Sequence, residues 1–145
     1  MAQSSRAEEE LRRLSMEMRY LEQTADALQQ RISMVNAALT DINYANMTLD
    51  GIEKEKESSE MLVPIGGSSY IKVKLADTNK VIIGLGSSVS VEKTLPEAKA
   101  TLKERLDELE KTMNSAQQQL SQVAERINSG RSRLESLLAT REGKQ

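Results

Sequence analysis

A heptad repeat of apolar residues near the start of the chain constrains the fold more than any other feature. Eleven of its twelve seam positions are apolar. The a positions are Leu11, Met18, Ala25, Ile32, Leu39 and Asn46, and the d positions are Leu14, Leu21, Leu28, Val35, Ile42 and Leu49. Alternating three- and four-residue spacing over more than five heptads favours a coiled coil over a surface helix of a globular domain, whose apolar stripe is wider. We therefore predict a coiled-coil helix over residues 1–60, starting at the capping box Ser5-Arg6-Ala7-Glu8.

A second heptad repeat occupies residues 94–145 and follows another capping box, Thr94-Leu95-Pro96-Glu97. Its seam consists of Leu102, Leu106, Leu109, Met113, Ala116, Leu120, Val123, Ile127, Gly130, Leu134 and Leu137. Two seams of nearly equal length favour an antiparallel hairpin of helices over pairing of each helix with another copy, which stays the alternative. In that hairpin Gly130 is expected to face Leu21 and Ala25 and to leave the seam loosely packed.

The middle segment, residues 61–93, loses the heptads and shows the period-2 alternation of strands. Ile71, Val73 and Leu75 fall on one strand face, with Lys72 and Lys74 on the other. Strands are predicted at Met61 to Ile65, Tyr70 to Leu75, Val81 to Ile83 and Val89 to Glu92, with turns at Gly66-Gly67-Ser68, Asp77-Thr78-Asn79-Lys80 and Gly84-Leu85-Gly86-Ser87. The fold class is thus mainly α with a small β module of two hairpins.

Two hairpins of this size cannot close a core alone, because a lone hairpin is marginally stable in water. Their apolar faces and unpaired edges are expected to be completed by the same module of sister subunits. The predicted oligomerisation residues are Leu62, Val63, Ile65, Ile71, Val73, Leu75, Val81, Ile83, Val89 and Val91.

Composition excludes several classes of function. The chain has no His and no Cys, so metal sites and thiol chemistry have little support, and a neutral-pH general base would have to be a displaced carboxylate or Lys. A net charge of -2 offers no obvious surface to nucleic acid or an anionic membrane. No apolar run approaches the roughly 20 residues of a membrane span, so we expect a cytoplasmic protein.

Two short motifs suggest chemistry and have simpler explanations. Ser69-Tyr70-Ile71-Lys72 spells the S-x-x-K pattern of Ser-Lys nucleophiles, but in an alternating strand the first and fourth residues point to opposite faces. Gly84-Leu85-Gly86-Ser87-Ser88 lacks the Gly-Lys-Ser/Thr of a phosphate-binding loop and fits a hairpin turn better. We therefore predict neither an enzyme nor a cofactor.

Four segments of the middle region carry a resemblance to a known family. They are Leu62-Val63-Pro64-Ile65-Gly66, Ile71-Lys72-Val73-Lys74-Leu75, Asp77-Thr78-Asn79-Lys80-Val81-Ile82 and Gly86-Ser87-Ser88-Val89-Ser90-Val91-Glu92-Lys93. In order and spacing they resemble the hairpin signature of prefoldin α-class subunits. The β-class subunits of that family carry a single hairpin.

The resemblance implies a hexamer of two α-type and four β-type subunits, with a β-barrel body and six coiled-coil arms. It also implies an ATP-independent holdase chaperone that binds non-native polypeptides at the arm tips and delivers them to a group II chaperonin. No cofactor is implied. The alternative is a structural scaffold or filament whose arms are spacers without clients.

The resemblance also directs attention to apolar residues near both termini. Met16, Tyr20 and Leu138 lie outside the a and d seam, so a coiled coil does not need them. Fraying of the last heptad would expose seam residues beside them. The predicted client-binding residues are Leu11, Leu14, Met16, Met18, Tyr20, Leu134, Leu137 and Leu138.

Overall fold

The computed structural model describes residues 2–143, so Met1, Lys144 and Gln145 of the predicted terminal segments lie outside the described residues. Two long helices enclose four strands in the chain order. The elements are α1 (Ala2–Glu53), β1 (Glu60–Gly66), β2 (Ser69–Lys74), β3 (Lys80–Gly86), β4 (Val89–Thr94) and α2 (Leu95–Gly143). The chain divides into two compact units, residues 1–37 with 111–145 (unit 1) and residues 38–110 (unit 2). The predicted fold class is confirmed.

The helix boundaries follow the heptads more closely than the capping boxes. Helix α1 already begins at Ala2, so the predicted start at the Ser5 capping box is wrong. It ends at Glu53 because the next two seam positions, Glu53 and Lys56, are charged and give the helix nothing to bury. At the start of α2 the Glu97 backbone N–H donates to the Thr94 hydroxyl at 3.3 Å, as the second capping box predicts.

In unit 1 the two helices run antiparallel, and two ion pairs fix their register. Arg133 Nη2 lies 2.9 Å from Glu10 Oε1, and Arg126 Nη2 lies 3.3 Å from Glu17 Oε1. From the first ion pair to the second, the partner on α1 moves seven residues forward and the partner on α2 moves seven residues back, which is one heptad on each helix. Every predicted a and d residue of this unit is buried or half-buried.

The expectation for Gly130 is wrong. A methyl group at Gly130 would lie 2.4 Å from Met18 Sδ, so the sulfur of Met18 occupies the space that the glycine leaves. Met18 is only 6% exposed. The seam is therefore filled at this point, with Met18 rather than Leu21 or Ala25 as the partner, because an unbranched thioether reaches into irregular gaps.

In unit 2 the four strands form two antiparallel hairpins, β1 with β2 and β3 with β4. Both hairpins have a two-residue turn in left-handed conformation, Gly67-Ser68 and Ser87-Ser88, the geometry of a type I′ turn. Both have a register shift just before the turn, at Pro64/Gly66 and at Gly84/Gly86. Since every pair of the second hairpin repeats one of the first 20 residues later, the two are copies of one backbone unit.

The same unit contains a cluster of buried apolar residues. Its buried members are Leu49, Ile83, Leu95, Ala98 and Leu102, with Ile42, Ala45 and Val81 packed against them. Ile83 is the residue that a hairpin contributes to the helix seam. Arg105 Nη2 also donates to the Gly84 carbonyl at 2.6 Å, which ties α2 to the second hairpin.

Candidate functional site

The predicted client-binding residues of unit 1 fall into three groups by exposure. Met16, Tyr20 and Leu138 are exposed, at 66%, 68% and 45%. The four leucines Leu11, Leu14, Leu134 and Leu137 are half-buried in the seam. Met18 is buried against Gly130, so it can reach another protein only after the helices separate. Three of the eight residues are therefore accessible without any opening.

A cleft of about 240 Å³ opens between the first turns of α1 and the last turns of α2 in unit 1. It is lined by Gln3, Ser4, Ala7, Glu8, Leu11, Leu137, Thr140 and Arg141. Ala7, Leu11 and Leu137 supply apolar walls, whereas Glu8 and Arg141 supply one charge of each sign. The cleft can accept an apolar side chain without selecting for the charge of its neighbours.

The same unit has a further exposed apolar residue that the sequence analysis did not single out. Met34 is 73% exposed, more than Met16 or Tyr20. It lies at heptad position c, as do Ala27 and Tyr20 one and two heptads earlier. This seven-residue spacing outside the a and d positions was the available signal.

The hairpins of unit 2 present a second apolar surface. Most predicted oligomerisation residues are exposed (Leu62, Val63, Ile65, Ile71, Val89 and Val91) or half-buried (Val73, Leu75 and Val81). Ile83 is the exception, since at 5% exposure it belongs to the chain's own core. The chain itself therefore already buries this predicted oligomerisation residue, while Val63, its counterpart in the first hairpin, is 40% exposed.

Cross-strand pairing shows which exposed residues share a face. Val63 lies opposite Ile71, and Met61 opposite Val73, so these four side chains form one apolar face of the first hairpin. On the corresponding face of the second hairpin, Ile83 and Val81 pack against the helices, while Val91 is 37% exposed. An exposed copy of a face that is covered elsewhere in the chain is a strong candidate for a partner surface.

The described residues hold little that could perform catalysis. Among residues 2–143 no group of three or more His, Cys, Asp or Glu side chains could hold a metal ion. Ser69 and Lys72 of the S-x-x-K pattern lie in β2, opposite Gly66 and Leu62, so their side chains point to opposite faces of the strand. Within the same range no helix is long and apolar enough to cross a membrane.

One ionisable group departs clearly from its ordinary behaviour. A hydrogen bond to Glu53, and a second to Asp50, raise the pKa of Lys99 above its usual value of 10.5. Lys99 Nζ lies 2.9 Å from Asp50 Oδ1 and also pairs with Glu53. A lysine held more firmly in its charged form is a poor base, and its ion pairs link α1 to α2 within unit 2.

Comparison with known sequences gives consistent matches. The family model described as prefoldin subunit matches residues 21–139. The prefoldin subunit alpha of Methanococcoides burtonii is 31% identical over 87% of this chain and 91% of its own length. The corresponding subunit of Pyrococcus horikoshii is 34% identical, covering 88% of this chain and 84% of its own. That of Methanobrevibacter smithii is 31% identical, covering 94% and 92%.

Solved structures match the fold. A chain of the filamentous prefoldin of Methanocaldococcus jannaschii superposes with a TM-score of 0.66 at 20% identity, over 77% of this chain and 92% of that one. The prefoldin beta subunit of Thermococcus strain KS-1 gives a TM-score of 0.58 at 19% identity, over 88% and 90%. At such low identity these likenesses bear on the fold alone.

Proposed function

The chain belongs to the prefoldin family of chaperone subunits, in its α class, and from this premise we propose that it is an ATP-independent holdase. It binds non-native polypeptides through the helix ends of unit 1 and transfers them to a group II chaperonin in the cytoplasm. The single observation that carries the proposal is the exposure of Met16, Tyr20 and Leu138, which the seam does not require.

Apolar surface of this kind suits transient holding. Met and Leu adapt to varied apolar partners, and the cleft beside them takes a side chain without demanding a particular charge. One arm of this size binds weakly. Several arms engaging one client raise the effective concentration, so that the whole assembly holds what a single arm releases.

Assembly is proposed to use the hairpins of unit 2 together with β-type prefoldin subunits. The exposed face formed by Met61, Val63, Ile71 and Val73, and the free strand edges, support this part of the proposal. Closure of several hairpins into a barrel would cover that face and remove the edges at once.

The holdase proposal is tested by replacing the exposed apolar residues with polar ones. Met16→Gln, Tyr20→Gln and Leu138→Gln keep helix-forming side chains but remove apolar surface. We expect the triple variant, assembled with a β-type subunit, to lose most suppression of aggregation of a chemically denatured protein, measured by light scattering. A chain trimmed of residues 1–16 and 134–145 is expected to lose all of it.

The matched control makes the same number of substitutions at exposed polar positions of unit 1, namely Gln29→Ser, Gln117→Ser and Gln122→Ser. These changes are expected to leave aggregation suppression and oligomer mass unaltered. If the triple Gln variant protects the denatured protein as well as the parent does, client binding by these residues is wrong.

A scaffold is the second candidate function, favoured by one observation. The structure that matches with a TM-score of 0.66 is a filament. In a scaffold the arms are spacers, and unit 2 forms the contacts between subunits. An assembly that grows with concentration, seen by native mass spectrometry, and that never suppresses aggregation would support the scaffold over the holdase.

A further inference from the structure

Helix α1 has a second run of heptad-spaced residues on the side away from the seam. The run, here called the outer stripe, consists of Met16, Tyr20, Gln23, Ala27, Gln30, Met34 and Ala37. These are seven successive f and c positions, all exposed and none charged. Arg13 and Asp41, the next positions of the same spacing, close the run at both ends. Unit 1 therefore presents an uncharged stripe with the spacing of a coiled-coil seam but outside the seam.

The outer stripe is not a general property of this chain's helices. The corresponding positions of α2 in unit 1 carry small or polar residues. They are Lys111, Ser115, Gln118, Gln122, Glu125, Ser129, Ser132, Ser136 and Ala139. None is apolar and larger than alanine, whereas the stripe on α1 contains two methionines and a tyrosine at exposures of 66–73%. Exposure to solvent alone does not explain this difference, since the equally exposed positions of α2 carry no large apolar residues.

From this stripe we propose that α1 docks an amphipathic helix formed by a segment of a non-native polypeptide. The inference rests on the proposed holdase function and names the kind of client segment that this face takes. A repeat of alternating three and four residues matches the side-chain spacing of another helix, whereas an extended segment would need alternation by two. The stripe runs over 22 residues, Met16 to Ala37, whose 21 steps give about 32 Å, which fits a partner helix of three heptads.

Surface area separates a transient client from a second copy of the chain. A stripe about 32 Å long and about 10 Å wide offers roughly 300 Å² to its partner. Stable complexes bury about 800 Å² on each side, so self-association through the stripe alone is too weak to be a permanent interface. Alanine at two of the seven positions, Ala27 and Ala37, reduces the buried area further.

The residues beside the stripe favour a promiscuous partner. Glu17, Arg19, Asp26 and Arg31 flank it with both signs of charge, so no client charge is preferred. Methionine and glutamine within it are long, flexible side chains that repack against different surfaces. Specific pairing of two coiled-coil helices would instead require a consistent charge pattern along both flanks.

The test uses the full-length chain assembled with a β-type prefoldin subunit, and a fluorescent peptide of about 21 residues with leucine at a and d, stapled into a helix. Ala27→Glu with Met34→Glu places two charges in the stripe and leaves the proposed contacts at the helix ends intact. We expect the variant to bind the stapled helix about tenfold more weakly or worse, measured by fluorescence anisotropy. Ser115→Glu with Gln122→Glu, the same charges on α2, is the control and is expected to bind as the parent does.

Three results would overturn the inference. The first is that the variant binds the stapled helix as tightly as the parent does. The second is that the parent binds equally well a peptide of the same composition in which D-leucine prevents helix formation. The third is a smaller oligomer mass for the variant, which would make a second copy of the chain the occupant. The proposed holdase function has a separate readout. If the parent assembly fails to hold a denatured protein, that function falls, whereas loss of stapled-helix binding alone leaves client holding at the helix ends unaffected.

Discussion

The two compact units hold their helices together in different ways. In unit 2 a third element covers the seam, because Ile83 of the second hairpin packs among Leu49, Leu95 and Leu102. In unit 1 the described parts of the two helices pack along the a and d seam, and ion pairs such as that of Glu17 with Arg126 flank it. Unit 1 also carries Met16, Tyr20 and Met34, which are exposed residues of α1 outside the seam.

The difference shows which unit holds its helices together more firmly, since both units expose apolar side chains. Exposed ion pairs contribute little, on the order of 0–1 kcal/mol each, so unit 1 depends on one narrow row of buried and half-buried side chains. Such a region opens locally at a lower free energy than a cluster buried on several sides. In the proposed holdase, unit 2 would anchor the assembly and unit 1 would expose further apolar side chains when its helices separate.

The largest effect is expected from removing the contact between Ile83 and the helices of unit 2. Ile83→Ala removes a side chain that is 5% exposed and leaves a cavity, which costs about 2–4 kcal/mol. Val63→Ala, 20 residues earlier in the equivalent strand position, removes a side chain that is 40% exposed and costs well under half as much within the chain. The rate of amide exchange of residues 95–102 measures the effect of both substitutions. It is expected to rise strongly only for Ile83→Ala.

The aspartate versions sharpen the same contrast. Ile83→Asp is expected to destabilise the subunit itself, while Val63→Asp and Val73→Asp keep its helical circular dichroism and lose the oligomer. Equal loss of amide protection in Ile83→Ala and Val63→Ala would mean that the two hairpins are equivalent in solution and that the helix seam does not select one of them.

Sequence reasoning predicted the seam better than the surfaces. The a and d residues of both helices could be identified because burial of a continuous stripe imposes a strict period. Four strands followed from alternation by two, and their turns from Gly, Ser and Asn. Alternation tells which side chains share a face of a hairpin but not which hairpin docks, so Val63 and Ile83 looked alike. That choice depends on tertiary packing that no local pattern encodes.

Boundaries and single contacts were missed for similar reasons. The capping box at Ser5 is outweighed by the residues before it, which continue the helix to Ala2. Gly130 appeared to be a gap because a sequence does not show that Met18 on the other helix turns its sulfur into that space. Met34 was overlooked because it lies outside the a and d positions, although it repeats Tyr20 and Ala27 at intervals of seven.

A smaller effect is expected inside the seam of unit 1. In the parent chain Gly130→Ala gains about 0.5–1 kcal/mol of helix propensity, but the new methyl group displaces Met18 Sδ from a site only 2.4 Å away. We expect a net destabilisation of about 0.5–1 kcal/mol. In a Met18→Ala background the displaced atoms are absent, so the same substitution is expected to stabilise by a similar amount. Urea denaturation of the four chains gives the coupling, and an identical effect in both backgrounds would contradict the packing of Met18 against Gly130.

The smallest effect concerns the ion pairs and depends on pH. Hydrogen bonds to Glu53 and Asp50 raise the pKa of Lys99, so its folded-state pKa lies above the unfolded value of 10.5. The stabilisation is therefore complete below pH 10.5 and is lost as the pH rises through the folded-state pKa. The pairs of unit 1 use Arg126 and Arg133, and guanidinium groups stay charged over that range.

Alkaline titration should consequently weaken unit 2 before unit 1. Between about pH 9 and about pH 11.5 the thermal unfolding temperature is expected to fall more steeply for the parent than for Lys99→Arg, which keeps a charge at the same position. Lys99→Met, which has no charge to lose, gives the baseline. An NMR titration of the Lys99 side chain is expected to place its pKa above 10.5. If Lys99→Arg and the parent lose stability in parallel, Lys99 does not link α1 to α2 through its charge, and the buried cluster around Ile83 alone accounts for the firmer packing of unit 2.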